Sequence, residues 1–321
     1  MDIAFFWTWE FSANILSSLI EDFNDEINVK LVVSQPDKAV WRKRELIPTP
    51  VKKIANKNNL KISQPKKLRK NLEFFDELKG LDLDFIVVVA YWKIVPEEIL
   101  GAPKKWCINI HWSILPKYRW ASPIQESIKN WDTETWLTIM YMSPWMDEWD
   151  ILKIEKIEIW KNDKTNDIFK KFENIGSKLL VNTLNWISNW KISWKEQVDS
   201  NATYCSKISK EDWEVKFKEQ SAQVIYNKYR AYSTWPWIYS YYKWKKINIE
   251  DCNIDEDWFF EKEYVWEIKP WIVIKINKKN YAIVWSDLKF LILNQVKLEW
   301  KNSMDIISFI NWNKDFIGYK F

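Results

Sequence analysis

Glycine is nearly missing from this chain, with 4 residues in 321, where about 7% is usual and roughly 22 would be expected at this length. Glycine supplies the left-handed backbone of tight turns, so its absence excludes an ordinary loop-rich domain unless another residue type stands in those slots. Histidine is scarcer still. His111 is the only one, which excludes a site built on two imidazoles. Cys107, Cys205 and Cys252 fall at no paired spacing, so neither a disulfide framework nor cysteine-ligated zinc is implied. No apolar run approaches the ~18 residues of a membrane span, and the N-terminus lacks the basic segment of a secretory signal. These absences predict a reduced, cytoplasmic protein with no metal site. Charge of either sign is balanced, 48 basic against 44 acidic residues, so the total of +4 permits a nucleic-acid partner without arguing for one.

What is present in excess is tryptophan, 25 residues. Added to the 4 glycines this makes 29, the total an ordinary chain of this length carries for the two types together. The tryptophans sit where turns are expected: Trp7 and Trp9 flank Thr8 after an apolar strand, Trp131 precedes Asp132, and Trp149 lies between Glu148 and Asp150. Such slots often need a positive φ and no Cβ, which an indole cannot provide. The pattern is that of a source that reads UGA as glycine while the letters shown read it as tryptophan. The alternative is a tryptophan-rich binding module with every letter literal.

The length suits two domains. Strands are predicted at Met1–Phe6, Val29–Val33, Leu60–Ser63, Phe85–Ala90 and Trp106–Ile110, alternating with helices at Pro50–Lys57, Leu68–Leu78 and a first one that carries Phe11, Ile15 and Leu19 on one face. This alternation implies a doubly wound, Rossmann-like, mostly parallel sheet. A helix at Pro123–Lys129, strands at Leu137–Met142 and Leu152–Ile159, and a helix from Thr165 to Leu184 complete a first domain at 1–190. Residues 191–206 turn polar and lose periodicity, as a linker does. From 207 to 321 a helix near Ser221–Arg230 precedes short strands such as Lys246–Ile249, Ile272–Ile276 and Phe290–Leu293, the pattern of a small OB-like β-barrel.

The chemistry concentrates at Asn109-Ile110-His111-Trp112-Ser113-Ile114-Leu115-Pro116 and the following Lys117-Tyr118-Arg119-Trp120-Ala121-Ser122-Pro123. Side chains alternate along a strand, so Asn109 and His111 share a face, at the carboxyl edge where such sheets place their sites. Downstream lies an acidic turn, Trp145-Met146-Asp147-Glu148-Trp149-Asp150. Read with glycine at Trp112, Trp120, Trp145 and Trp149, these stretches resemble the asparagine-x-histidine, serine-leucine-leucine-proline and leucine-aspartate-threonine-glycine-aspartate signatures of the folate-dependent formyltransferases that act on methionyl-tRNA. The resemblance extends to Phe5–Phe11, Gln35–Lys52, Val87–Pro96 and Leu298–Met304, nearly the whole chain. Trp235 matches a position where the family itself has tryptophan. Ile114, Trp9 and Met146 depart from the family pattern, none at a polar catalytic position.

The resemblance implies transfer of the formyl group of 10-formyltetrahydrofolate to the α-amino group of initiator methionyl-tRNA. Asn109, His111 and Asp147 are then the catalytic group. Ser113, Ile114, Leu115 and Pro116 line the folate pocket, with Tyr91 and Ile94 in its other wall. Arg42, Lys43 and Arg44 lie in a loop that enters the acceptor stem, and a monomer is expected. The basic run from Lys38 to Arg44 holds four cations in seven positions, and residues 201 to 321 add 19 basic against 16 acidic. A formyltransferase acting on a sugar amine or on glycinamide ribonucleotide would share the three catalytic residues. A catalytically dead tRNA-binding protein on the same fold would keep the basic surface.

Overall fold

The computed structural model describes residues 1–7, 10–40, 45–89, 91, 93–145, 147–191, 193–233, 237–255, 269–277, 279–285 and 289–321. In chain order the strands are β1 Asp2–Phe6, β2 Asn28–Val33, β3 Lys38–Val40, β4 Glu45–Ile47, β5 Ile62–Ser63, β6 Phe85–Val89, β7 Trp106–His111, β8 Arg119–Trp120, β9 Glu134–Tyr141, β10 Ile151–Glu158, β11 Tyr204–Cys205, β12 Ile238–Tyr242, β13 Lys245–Asp255, β14 Val273–Lys275, β15 Tyr281–Val284, β16 Phe290–Leu298 and β17 Met304–Asp305. The helices are α1 Glu10–Glu21, α2 Pro50–Lys57, α3 Leu72–Gly80, α4 Glu97–Leu100, α5 Pro123–Lys129, α6 Thr165–Ser188, α7 Ala222–Ala231 and α8 Ile306–Trp312.

By contact, the chain divides into two compact units. The first holds a seven-stranded sheet in the order β10-β9-β7-β6-β1-β2-β5. Its strands β5, β2, β1, β6 and β7 run parallel, while β9 and β10 are antiparallel to their neighbours. β6 is buried along its whole length, as an apolar Phe-Ile-Val-Val-Val run covered on both faces must be. Below it Ala4, Phe6, Leu31, Val33, Ile86, Val88 and Cys107 pack against Phe74 and Leu78 of α3 and Ile99 of α4. On α6, Gly176 leaves room for Ile15 of α1, whose Cδ1 would meet an added Cβ at 3.2 Å. α2 begins where the sequence places it, with the Thr49 hydroxyl accepting from the Lys52 amide and Pro50 in its first turn.

The polar stretch 191–206 is built into this first unit. Lys195 bridges Ile151, and Tyr204–Cys205 pairs in parallel with Arg119–Trp120. The second unit carries an antiparallel half-barrel sheet, β12-β13-β16-β15-β14, with β17 beside β16. Residues 124–133 and 159–166 cluster with it. Its fully buried Arg230 explains part of that clustering, because the guanidinium donates to the carbonyls of Trp160 (3.3 Å) and Asp163 (3.2 Å) and to Asn227 (3.0 Å). The strands β12 and β15 and the β3–β4 hairpin are additions to the sequence reading. No described helix is long and apolar enough to cross a membrane.

Candidate active site

Three residues converge at the carboxyl end of β7. Asn109 and His111 project to one side, as the two-residue alternation requires, and Asp147 reaches them from the turn after β9. The Asn109 amide donates to Asp147 Oδ1 at 3.2 Å. The same oxygen lies 3.7 Å from His111 Nδ1, and the main-chain N–H of Trp120 donates to Asp147 Oδ2 at 3.0 Å. Both His111 and Asp147 are largely withdrawn from solvent, with side chains 8% and 12% exposed. On its far edge the imidazole meets the Tyr118 carbonyl, Nε2 to O 2.9 Å. A carbonyl only accepts, so Nε2 carries hydrogen and Nδ1 is the atom that gains or loses the proton, facing the carboxylate. His111 therefore offers a second donor only as the imidazolium, whereas Asn109 keeps one amide hydrogen in either state.

This arrangement supplies an amide donor, a proton-exchanging ring and a carboxylate, with no enzymic nucleophile. Cys107, Cys205 and Cys252 are all buried. Burial pushes the Cys107 thiol, two residues from Asn109, far above its ordinary range, and does the same to Cys252, so neither presents a thiolate. Among the described residues no cluster of three metal-ligating side chains occurs.

The predicted pocket residues divide. Ser113 is buried, its hydroxyl donating to the Lys117 carbonyl at 2.6 Å while its own carbonyl accepts from Thr138 at 2.5 Å. These bonds fix the main chain just past β7. Leu115 packs beneath, against Met140 and Ile151, and Ile114 and Pro116 are half-buried. Ile94 is exposed. The Tyr91 ring points into the core, edge-on to Phe6 at 5.4 Å, and burial pushes its phenol up. Its carbonyl accepts from the Gln35 side-chain amide at 3.0 Å. Arg42, Lys43 and Arg44 lie outside the described residues, as do Ala90, Trp92 and Met146.

Two residues the sequence reading did not single out support the group. Arg119 is fully buried behind it, and Gln197 joins it from the polar stretch. Arg119 lies inside the motif that runs from Asn109 to Pro123, but Gln197 sits 78 residues away in a segment with no periodicity.

A formyl transferase family model matches residues 1–184, and a formyl transferase C-terminal domain model matches residues 207–314. The methionyl-tRNA formyltransferase of Caldicellulosiruptor saccharolyticus is 41% identical over 320 residues, covering 100% of this chain and 97% of that protein. The chain belongs to the methionyl-tRNA formyltransferase family. A second methionyl-tRNA formyltransferase, from Sulfurimonas denitrificans, is 39% identical over 97% of this chain and 96% of its own length. Among solved structures, an N-formyltransferase from Helicobacter canadensis, in complex with folinic acid and dTDP-3-aminofucose, superposes with a TM-score of 0.64 at 19% identity, covering 91% of this chain and 98% of that one. At that identity the likeness is one of fold. The formyltransferase match spans the sheet that carries Asn109 and His111 and the segment that carries Asp147.

Proposed function

We propose that this methionyl-tRNA formyltransferase takes its formyl group from 10-formyltetrahydrofolate and delivers it to the α-amino group of methionine on initiator tRNA, with Asn109, His111 and Asp147 as the catalytic group. The observation that carries the assignment is the convergence of Asn109 and His111 on Asp147 Oδ1. Attack of the amine on the formyl carbon creates an oxyanion, and the free amide hydrogen of Asn109 is a donor for it. His111 Nδ1 takes the proton that the attacking nitrogen releases, and Asp147 stabilises the resulting imidazolium. The proton then passes to the departing folate nitrogen as the tetrahedral intermediate collapses. Ser113 to Pro116, Tyr91 and Ile94 are the folate-pocket segment in this reading, with Tyr91 contributing main chain and not its ring. Residues 1–190 form the catalytic domain, 191–206 the connection and 207–321 a tRNA-binding domain, in a cytoplasmic monomer.

The pH profile tests the imidazole. Turnover in this reading depends on proton transfer at His111, so His111→Gln is expected to change the pH dependence of the rate along with removing most activity, and a residual rate with an unchanged pH profile would remove His111 from proton transfer.

The acceptor is assigned to tRNA through Lys38–Arg44, whose four cations in seven positions suit a row of acceptor-stem phosphates, a longer anionic track than a nucleotide-linked sugar amine offers. Arg42→Ala is expected to lower kcat/KM for methionyl-tRNA about 10-fold, and neutralising Lys43 and Arg44 to flatten the salt dependence of binding. Steady-state kinetics at several salt concentrations check both, with folate KM as the internal control. No loss on removing all three charges would leave the run a solvated face.

The tryptophan excess belongs to the same reading, as glycine codons read as tryptophan. Its support is conformational. Of thirteen described non-glycine residues with positive φ, seven are tryptophan: Trp120, Trp131, Trp190, Trp237, Trp244, Trp271 and Trp300. Trp190, Trp244 and Trp300 are more than nine-tenths exposed, where an indole finds no packing.

A further inference from the structure

We propose that Gln197 is a positioning residue for Asp147, holding the catalytic turn through both ends of its side-chain amide. The turn needs an external clamp. Asp147 has φ +59°, a left-handed backbone that aspartate visits more readily than most residues with a Cβ but less readily than glycine, so a clamp on the turn favours it. Its carboxylate is held by Asn109 and by the Trp120 amide, but those bonds orient the tip and not the backbone that carries it.

Gln197 holds the backbone. Its Nε2 donates to the Asp147 carbonyl at 3.0 Å and to the Trp149 carbonyl at 2.6 Å, spanning the turn. Its Oε1 accepts from Arg119 Nε at 3.1 Å and Nη2 at 2.9 Å. Arg119 in turn reaches Asp199 at 2.8 Å, with Glu148 at 3.9 Å from Nη1. The orientation of the amide is thereby fixed: a guanidinium only donates and a carbonyl only accepts, so the oxygen must face Arg119 and the nitrogen must face the turn. Gln197 is only 8% exposed, which protects these bonds from exchange with water. It bonds the turn from within 191–206, so the stretch between the two family domains is a working part of the site.

The inference rests on the role given to Asp147, and the test separates the two. In the full-length protein as its native lineage translates it, Gln197→Glu keeps an acceptor for Arg119 and removes both donors to the turn, whereas Gln197→Met removes both functions. If Gln197 positions Asp147, each variant lowers kcat for methionyl-tRNA formylation at least ~10-fold while both KM values stay within about 3-fold, since small misplacements of a catalytic group act on turnover. Wild-type turnover in Gln197→Glu would show that the residue only accepts from Arg119 and would overturn the proposal. So would a rise in KM at constant kcat. A double-mutant cycle covers loss by poor folding: placed on Asp147→Asn, Gln197→Glu should cost less than about 3-fold further, because the group it positions is already gone. Full multiplication of the two losses would mean that Gln197 acts on the fold at large, and would also overturn the proposal. Undiminished activity in Asp147→Asn alone would instead refute the role of Asp147.

Discussion

Alanine at Asn109, at His111 or at Asp147 is expected to lower the turnover of methionyl-tRNA formylation by at least about 10²-fold, the usual consequence of removing an oxyanion donor or its partners. The three losses should not multiply. Asn109 and His111 both address Asp147 Oδ1, so removing Asp147 already releases the other two side chains from their geometry, and groups that act as a unit lose most of their effect with the first deletion. Stability should change little for Asn109→Ala, whose side chain is only part-buried. His111→Ala empties a buried position and removes the bond between the ring and the Tyr118 carbonyl, so a destabilisation of about 1–3 kcal/mol accompanies it. Single-turnover kinetics with thermal unfolding on the same preparations separate these effects. Full activity in any one variant, with stability unchanged, would take that residue out of the mechanism.

The second large effect concerns the tryptophan positions. Each residue bearing a Cβ pays roughly 1–2 kcal/mol for left-handed backbone. Seven tryptophans in that conformation together cost about 7 kcal/mol or more, against a typical total stability of about 5–15 kcal/mol. A chain with glycine at Trp120, Trp131, Trp190, Trp237, Trp244, Trp271 and Trp300 should therefore melt at least ~10 °C above the literal sequence. At Trp120 the consequence reaches the site, because the main-chain N–H held at φ +86° donates to Asp147. Glycine supplies that donor without strain and without an indole at the pocket mouth. Mass spectrometry of the protein from its native source should report glycine at Trp112 and Trp120. Tryptophan masses there, or equal melting temperatures, would refute the recoding.

Asn109 and His111 were legible in the sequence because a two-residue period on a buried strand fixes their common face before any fold is known. Asp147 was reachable only through the resemblance, since an acidic turn carries no signal of where it folds back. The sheet is mostly parallel, as the alternation of strands and helices implies. The link from Tyr141 to Ile151 is too short for a crossover, which was sufficient to make β9 and β10 antiparallel. Tyr91 was read as part of the second pocket wall, and its ring packs toward Phe6 and the core. Arg119 and Gln197 form a contact between segments 78 residues apart, and no local pattern encodes such a pair. Residues 191–206 read as a linker and most of them are exposed, but Gln197 among them is buried and bonds inward to the turn that carries Asp147.

The most direct test of the account is an acceptor comparison with the full-length protein and 10-formyltetrahydrofolate, measuring formyl incorporation into initiator methionyl-tRNA, a dTDP-linked amino sugar and glycinamide ribonucleotide side by side. The account predicts rapid formation of formylmethionyl-tRNA, abolished by Asp147→Asn, with the two small acceptors left unmodified. Formylation of either small acceptor with methionyl-tRNA untouched would contradict it.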